Sequence, residues 1–368
     1  MAGEKADQDF MNAALALAAR NLGDTWPNPA VGCVLVNDGH VVGRGWTQSG
    51  GRPHAETEAL ARAGAAARGG TAYVSLEPCS HHGKTPPCAD ALVAAGIARV
   101  VVATADPDVR VNGCGVARLR EAGISVTEGV CRAAADRLNA GFFLKVSEGR
   151  PLFALKTATS FDGRIAIASG ESRWITGETA RRVVHVLRAR FDAILVGSET
   201  ALTDDPLLTC RMEGYAGRPK VRIVLDRRLR LAPTSELVKT AREIPTWVMT
   251  SDQAQQSPRC AELTNSGVEV IALKGSSDHA GFAFAVGRAL GERGLTRVLI
   301  EGGGQVAAAF LRAGLIDEID WFRGPSVIGG DGRASIHPMG LISLADMPRF
   351  RPRERLKFAD DTLDILTR

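Results

Sequence analysis

At 368 residues the chain is too long for one average core, and length alone suggests two or three domains. Hydrophobic residues make up 45% and charged residues 23%, an ordinary soluble composition, and no apolar run approaches the roughly 18 residues of a membrane span. A net charge of +4, two tyrosines and 5% aromatics supply neither the clustered basic face nor the stacking surface that a nucleic-acid platform needs.

The N-terminus carries Glu4, Asp7 and Asp9 ahead of its apolar residues, the reverse of a secretory signal, so it reads as the first helix of a cytoplasmic protein. Helical spacing of Phe10, Leu15 and Leu17 places that helix over 8–20. Two β-rich runs around Asp38-Gly39 follow as a hairpin. His54 opens an alanine-rich helix to about Arg68, and Thr71–Leu76 is a short buried strand. Pro86-Pro87 starts the next helix, since proline is tolerated in a first turn. Strand Arg99–Thr104, helix 113–122, strand Ile124–Val126 and a helix near 131–145 complete an α/β/α sandwich.

The segment VSEGRP then reads as a linker, separating residues 1–146 from a second α/β domain over 151–368. Its expected elements are a β-run from Leu152, a helix near 178–190 and strands at 193–196, 221–225, 245–249 and 268–272. A helix at 281–291, strand 297–300, a helix to about 313, strand 317–322 and two β-like pieces after 350 follow. Seven cysteines, an odd number spread over a long chain, argue against a disulfide framework; Cys33 and Cys131 are expected to be buried, inert thiols.

The chemistry concentrates between Arg52 and Ala89. His54, Cys79 and Cys88 offer one imidazole and two thiolates to a zinc ion, leaving the fourth tetrahedral position open to water. Glu56, two residues beyond the histidine, is within reach of that water's protons, as in the zinc deaminases. In this reading zinc lowers its water's pKa towards about 7 and yields a hydroxide nucleophile. Glu56 takes the proton, protonates a ring nitrogen and helps ammonia leave. A closed structural site with His81 or His82 as fourth ligand would leave the His-x-Glu spacing unexplained. The eight residues between the two cysteines are longer than the usual two and form a loop over the site mouth that adds Lys84, a point charge suited to a phosphate.

In the second half, Glu301-Gly302-Gly303-Gly304 lies between a strand and a helix, where bare backbone amides can cradle a phosphate. Gly302-x-Gly304-x-x-Ala307 with Asp320 downstream matches a dinucleotide fingerprint, but it comes too late in the chain for a true Rossmann domain.

Asn28-Pro29-x-Val31-Gly32, His54-Ala55-Glu56 and the run from Glu77 to Cys88 resemble the bifunctional deaminase–reductases of riboflavin biosynthesis, whose deaminase has the long cysteine spacing. Ser160-Phe161-Asp162-Gly163, the stretch Ser169–Thr176 and Thr203-Asp204-Asp205-Pro206-x-Leu208-Thr209 resemble the reductase half, in the same domain order. The resemblance implies a cytidine-deaminase-like sandwich followed by a dihydrofolate-reductase-like domain, with zinc and NADPH as cofactors, a phosphorylated pyrimidine as substrate, and a homo-oligomer. It implies that Asn28 holds the base while His81, Lys84 and Asp106 shape the ribose-phosphate end. It also implies that Ala158, Trp174, Thr200, Asp204 and the run Gly303, Gly304, Gln305, Val306, Ala307, Ala308, Ala309 contact NADPH. Ser172, Arg188, Leu208, Arg211 and Glu301 would contact the substrate.

Two positions depart from the family pattern. Asp108 stands where asparagine is usual; since a carboxylate near a phosphate is unfavourable, it is expected to point away or to be replaced in function by Asn112. Arg227 replaces a small hydroxylated residue and is read as a partner for the 2′-phosphate of NADPH.

Overall fold

The computed structural model describes residues 2–81, 86–108, 111–274 and 278–368. The chain divides into two compact units, Met1–Glu148 and Gly149–Arg368.

The first unit runs α1 (Ala2–Ala18), β1 (Gly32–Asn37), β2 (His40–Trp46), α2 (Ala55–Ala63), β3 (Thr71–Val74), α3 (Cys88–Ala94), β4 (Arg99–Val102), α4 (Cys114–Glu121), β5 (Ser125–Glu128), α5 (Arg132–Leu138) and α6 (Ala140–Glu148). Its sheet has the order β2-β1-β3-β4-β5. β1 is antiparallel to both neighbours, and β3, β4 and β5 are parallel. The inner strands are apolar on both faces because helices cover both, as parallel strands require. α1 is tied to the sheet by a buried carboxylate: Asp7 accepts from Arg99 at 2.9 and 2.6 Å and from the Tyr73 hydroxyl at 2.9 Å. These hydrogen bonds hold the Asp7 carboxyl below its ordinary pKa, Arg99 contributing most.

Two details differ from the sequence reading. Residues 146–148 are the last turn of α6, not linker, and the helix ends at Gly149, whose φ of +69° suits glycine. Cys131 is only partly buried, because it occupies the left-handed N-cap position of α5 with φ +59°, outside the sheet core that encloses Cys33.

The second unit runs β6 (Leu152–Thr159), β7 (Arg164–Ala166), α7 (Glu178–Ala189), β8 (Ala193–Gly197), α8 (Ser198–Asp204), β9 (Val221–Leu225), α9 (Glu236–Lys239), β10 (Thr246–Ser251), α10 (Asp252–Gln255) and α11 (Pro258–Asn265). It continues through β11 (Glu269–Leu273), α12 (His279–Glu292), β12 (Arg297–Ile300), α13 (Gly304–Arg312), β13 (Ile316–Arg323), β14 (Arg333–Ala334), β15 (Arg351–Phe358) and β16 (Asp361–Thr367). The main sheet has the order β11-β10-β9-β8-β12-β6-β13-β16-β15, and β7 pairs separately with β14. The strands from β11 to β13 are parallel, and β16 and β15 add antiparallel pairs at one end.

Burial follows position in that sheet. β8, near the middle, reads AILVG and is buried throughout; β15, at the edge, reads RPRERLKF and is mostly exposed, its charges discouraging further strand pairing. One face carries α7, with Val183, Val184 and Leu187 packed on Phe322, Leu363 and Ile365. Each such buried aliphatic or aromatic side chain contributes about 1.5–3 kcal/mol. The carboxyl ends of the parallel strands in both units are where open α/β sheets hold ligands.

Candidate active sites

In the first unit the carboxyl ends of β3 and β4 open on a cavity of about 590 Å³. His54 is the N-cap of α2, with an extended backbone (φ −74°, ψ 160°) and no side-chain hydrogen bond to the helix it starts. Glu56 sits in the first turn of α2 and is 3% exposed. Cys79 follows β3, and Cys88 is the first residue of α3, behind the N-cap Pro87. These elements bring one nitrogen and two sulfurs together: the ligand atoms of His54, Cys79 and Cys88 all lie within 4.8 Å of one another. His54 Nδ1 is 3.3 Å from Cys88 Sγ and 3.7 Å from Cys79 Sγ, against about 3.5 Å expected between ligands at tetrahedral zinc–nitrogen and zinc–sulfur distances.

The surroundings suit an anionic sulfur at Cys79, whereas its hydrogen bond with Cys79, then burial, pushes the Cys88 thiol up. Cys88 N donates to Cys79 Sγ at 3.3 Å. Side-chain hydrogen bonding with Cys88, then with His54, pulls the Cys79 thiol down to about 4 against the opposing effect of burial. The Glu56 carboxyl moves the other way: burial first, then the charge of Cys79, pushes it up to about 7. A carboxyl near that value can both accept and give a proton at neutral pH.

Asn28, His81 and Asp106 line the same cavity. Asn28 donates from Nδ2 to Gly51 O at 3.3 Å, and a Cβ on Gly51 would lie 1.9 Å from that nitrogen, so only glycine fits there. His81 Nδ1 is buried without a hydrogen-bond partner among the described residues. Asp106 is pushed up to about 6, chiefly by burial. Lys84 lies outside the described residues. Asp108 lines the cavity and donates its backbone N–H to Asp106 Oδ1 at 2.9 Å, while Asn112 is exposed and does not line it. The turn at Asp108 is set by that hydrogen bond, a local device invisible in composition. Two further lining cations, Arg52 and Lys145, escaped the sequence reading because neither sits in a motif.

Glu77 has a quieter part. It is 3% exposed, and its carboxylate accepts from the backbone N–H groups of Gly113 (3.0 Å), Gly115 (2.9 Å), Val116 (3.2 Å) and Asp106 (3.4 Å). It thus caps α4 with a negative charge and ties the loop after β4 to the strand end that bears Cys79. Glu77→Ala would leave those buried donors unmatched and is expected to cost about 3 kcal/mol. It is also expected to weaken zinc binding about ten-fold, the effect of loosening a ligand's support, as read by denaturant unfolding and metal competition.

In the second unit a cavity of about 240 Å³ opens at the carboxyl ends of β6, β8 and β12. Ala158, Ser172, Thr200, Asp204, Glu301, Gly303, Gly304 and Ala307 line it. The glycine turn has φ of +151° at Gly302 and +86° at Gly303. A Cβ on Gly304 would meet the His337 ring at 2.5 Å, so only glycine fits at the start of α13. The Asp204 carboxyl is raised by burial.

Arg188, from α7, does not line the cavity but holds Glu301, giving Nε to Oε1 at 2.6 Å and Nη2 to Oε2 at 2.7 Å, and donating also to Thr209 O at 2.7 Å. Leu208 is buried, with φ +48°. Arg211 is exposed and gives its backbone N–H to His185 Nδ1. Trp174 is 68% exposed, with the Arg181 guanidinium 4.1 Å over its ring. Gln305 and Val306 stand beside the turn, Gln305 against His279, whereas Ala308 and Ala309 are packed inside. Arg227 follows β9 with its guanidinium 5.2 Å from the Phe282 ring centroid and outside the cavity wall. Asp320 is fully buried within β13, which removes it as a ribose ligand.

The residue missed here is Lys156. It lines the cavity from β6, and burial pushes its ammonium down while Glu301 pulls it up. A lysine inside the otherwise apolar run LFALKTAT was the available signal.

A deaminase-type zinc centre on one unit and a glycine-turn cleft beside a half-buried lysine on the other define a two-site enzyme. The first half matches the model of the cytidine and deoxycytidylate deaminase zinc-binding region over residues 4–104, and the second matches the RibD C-terminal domain over residues 151–363. The riboflavin biosynthesis protein RibD of Escherichia coli is 42% identical over 95% of each chain, and that of Aquifex aeolicus 40% over 98% of each. The RibD structure from Acinetobacter baumannii superposes with a TM-score of 0.87 at 38% identity, covering 99% of both chains. A diaminohydroxyphosphoribosylaminopyrimidine deaminase/5-amino-6-(5-phosphoribosylamino)uracil reductase from Thermotoga maritima gives 0.86 at 35%, again over 99% of each. The chain belongs to the RibD family of bifunctional riboflavin-biosynthesis deaminase–reductases, and its cofactors are zinc and NADPH. No helix among the described residues is long and apolar enough to cross a membrane.

Proposed function

We propose that the first cavity deaminates 2,5-diamino-6-ribosylamino-4(3H)-pyrimidinone 5′-phosphate and that the second reduces the ribosyl group of the resulting 5-amino-6-(5-phosphoribosylamino)uracil to ribityl. The observation that carries the first step is the approach of His54, Cys79 and Cys88 to within 4.8 Å beside buried Glu56. The donor set fits zinc: one imidazole and two thiols, with an open side facing the cavity. Zinc held there supplies a Lewis acid that lowers the pKa of water towards about 7. Glu56 accepts the proton of the attacking water, passes it to the ring nitrogen and then serves the departing amine. Asn28 orients the base, and His81, Asp106, Arg52 and Lys145 receive the ribose phosphate. The cations balance Asp106 and Asp108, so the carboxylates face ribose hydroxyls while the phosphate takes the positive side.

In the second cavity, NADPH supplies hydride when bound. The glycine turn and the start of α13 fit its phosphates, and Ala158, Thr200 and Asp204 fit the rest of the cofactor. Trp174 and Arg227 extend that surface from outside the cavity. Ser172 and Glu301 orient the sugar, with Arg188 fixing Glu301, while Leu208 and Arg211, which do not line the cavity, are assigned to the substrate by the family resemblance alone. Opening the ribosyl ring breaks the C1′–O bond, so the ring oxygen needs a proton as carbon takes hydride. Lys156 is placed to give it. The same reading carries cytoplasmic residence and assembly into a dimer or tetramer, the latter decided by sedimentation velocity.

Incubation with the diaminopyrimidinone phosphate is expected to give a gain of about one mass unit without cofactor, NH₂ being replaced by OH. With NADPH a further two hydrogens are expected, one arriving as hydride from the cofactor and one as a proton. Dialysis against a chelator should abolish the first change and leave reduction of pre-deaminated substrate intact. Deamination that survives complete zinc removal would reject the metal assignment.

A further inference from the structure

A carboxylate stands behind the lysine of the second cavity. β13 runs parallel to β6, and their register sets Asp320 opposite Lys156, so both side chains leave the same face of the sheet. Phe322, two residues further along β13 and therefore on that face, packs under α7. Asp320 is 0% exposed, and neither carboxylate oxygen has a hydrogen-bond partner among the described residues. A buried carboxylate without hydrogen bonds is unfavourable unless opposite charge stands close by.

The charged groups facing Asp320 are few. Burial, then Glu318 on its own strand, pushes its carboxyl up to about 7, against Arg353 from β15, Arg297 from β12 and Arg190 from the end of α7, so it carries its charge on the alkaline side of neutrality, where it raises Lys156 on β6. Arg353 is taken by Glu318 at 2.6 Å, and Arg297 lies 4.9 Å over the Phe191 ring with Nε unpartnered. Lys156 in turn faces Glu301, Arg188 and Asp320. Glu301 raises Lys156 most, but both prongs of Arg188 engage it and the Arg188 charge pushes the lysine back down. Asp320 is therefore the carboxylate whose charge is not already spent in a hydrogen-bonded pair.

We propose that Asp320 is a positioning residue for the reductase, holding Lys156 as an ammonium aimed into the cleft. The inference rests on the assignment of this cavity as the reductase site. In the low-dielectric interior a carboxylate acts on a neighbouring ammonium across several ångströms without touching it. Lys156 meets the substrate; Asp320 acts only through Lys156.

The test compares the full-length holoenzyme with Asp320→Asn and Asp320→Leu. Both variants should retain zinc and release ammonia at the wild-type rate. The alkaline limb of the reductase kcat/KM profile should move down by about one pH unit or more, the scale of a lost neighbouring charge, with KM for NADPH within about two-fold. Lys156 should show a matching shift in its pH-dependent reactivity towards acetic anhydride, read peptide by peptide by mass spectrometry. An unchanged limb and unchanged Lys156 reactivity in a folded variant overturn the proposal. So does failure of both variants to fold, since Leu relieves the buried charge and failure would make Asp320 a structural residue. Lys156→Met separates the two levels. If it abolishes reduction while the Asp320 variants shift nothing, only this inference fails; if it leaves reduction intact, the assignment of the cavity itself fails.

Discussion

Replacing Glu56 by alanine is expected to leave one equivalent of zinc bound and to lower ammonia release by about 10²–10⁴-fold, the usual contribution of a positioned acid–base group. The separation follows from geometry. The three ligand atoms come from His54, Cys79 and Cys88, and Glu56 is not among them. Its place in the first turn of α2, 3% exposed and lining the cavity, fits the proton carrier of the proposed mechanism. Glu56→Gln sharpens the test, because it keeps the shape and one hydrogen-bonding oxygen yet cannot take a proton. Both variants should still reduce pre-deaminated substrate at the wild-type rate. A Glu56→Gln protein that releases ammonia normally would remove Glu56 from the chemistry; one that loses zinc would make it a support for the site.

How much of this was legible in the chain depends on where each signal is written. The zinc centre was readable because its residues lie in short motifs at element starts, where His54 and Cys88 cap or open helices. The alternation of strands and helices in the first unit was readable because inner strands such as β4 are apolar on both faces and turn residues separate them. The turn at Asp108 was not legible because it is set by one backbone hydrogen bond to the Asp106 carboxylate, and charge alone says nothing about that bond. Lys156 was missed because it stands alone in an apolar strand, and its significance comes from β12 and β13, about 145 and 165 residues away in sequence, which parallel pairing brings alongside. Asp320, by contrast, was noticed for the wrong reason. Its distance from the glycine turn suits a ribose ligand, but the strand period turns it into the face covered by α7. Short β7 and β14 went unread because their pairing joins residues far apart in sequence and carries little alternation of its own.

Replacing Arg188 by methionine is expected to destabilise the second unit by about 3–5 kcal/mol at neutral pH, because it strands Glu301 as a buried unpaired carboxylate. Side-chain exposures of 12% for Arg188 and 6% for Glu301 put this pair well inside the surface. On burial alone the Glu301 carboxyl would rise, but Arg188, through its charge and its two hydrogen bonds, brings it below the ordinary value of 4.5. A depressed folded-state pKa contributes stability that is present above the ordinary value and lost as pH falls through the folded one. In Arg188→Met only the weaker pulls of Lys156 and His185 oppose burial, so Glu301 rises instead and the variant gains relative stability once that carboxyl is protonated. The difference between wild type and variant should therefore be large at pH 7 and shrink towards pH 4. At neutral pH it should appear as a loss of roughly 10 °C in the melting temperature of this unit, given a few degrees per kcal/mol for a domain of this size. Reduction should fall sharply as well, since Glu301 would no longer be fixed at the cavity wall. The double replacement Arg188→Met with Glu301→Leu removes the stranded charge, and it should recover most of the stability and none of the reduction. Recovery of both would show the pair to be scaffolding. Recovery of neither would mean that Arg188 holds the unit together through Thr209, its other hydrogen-bond partner.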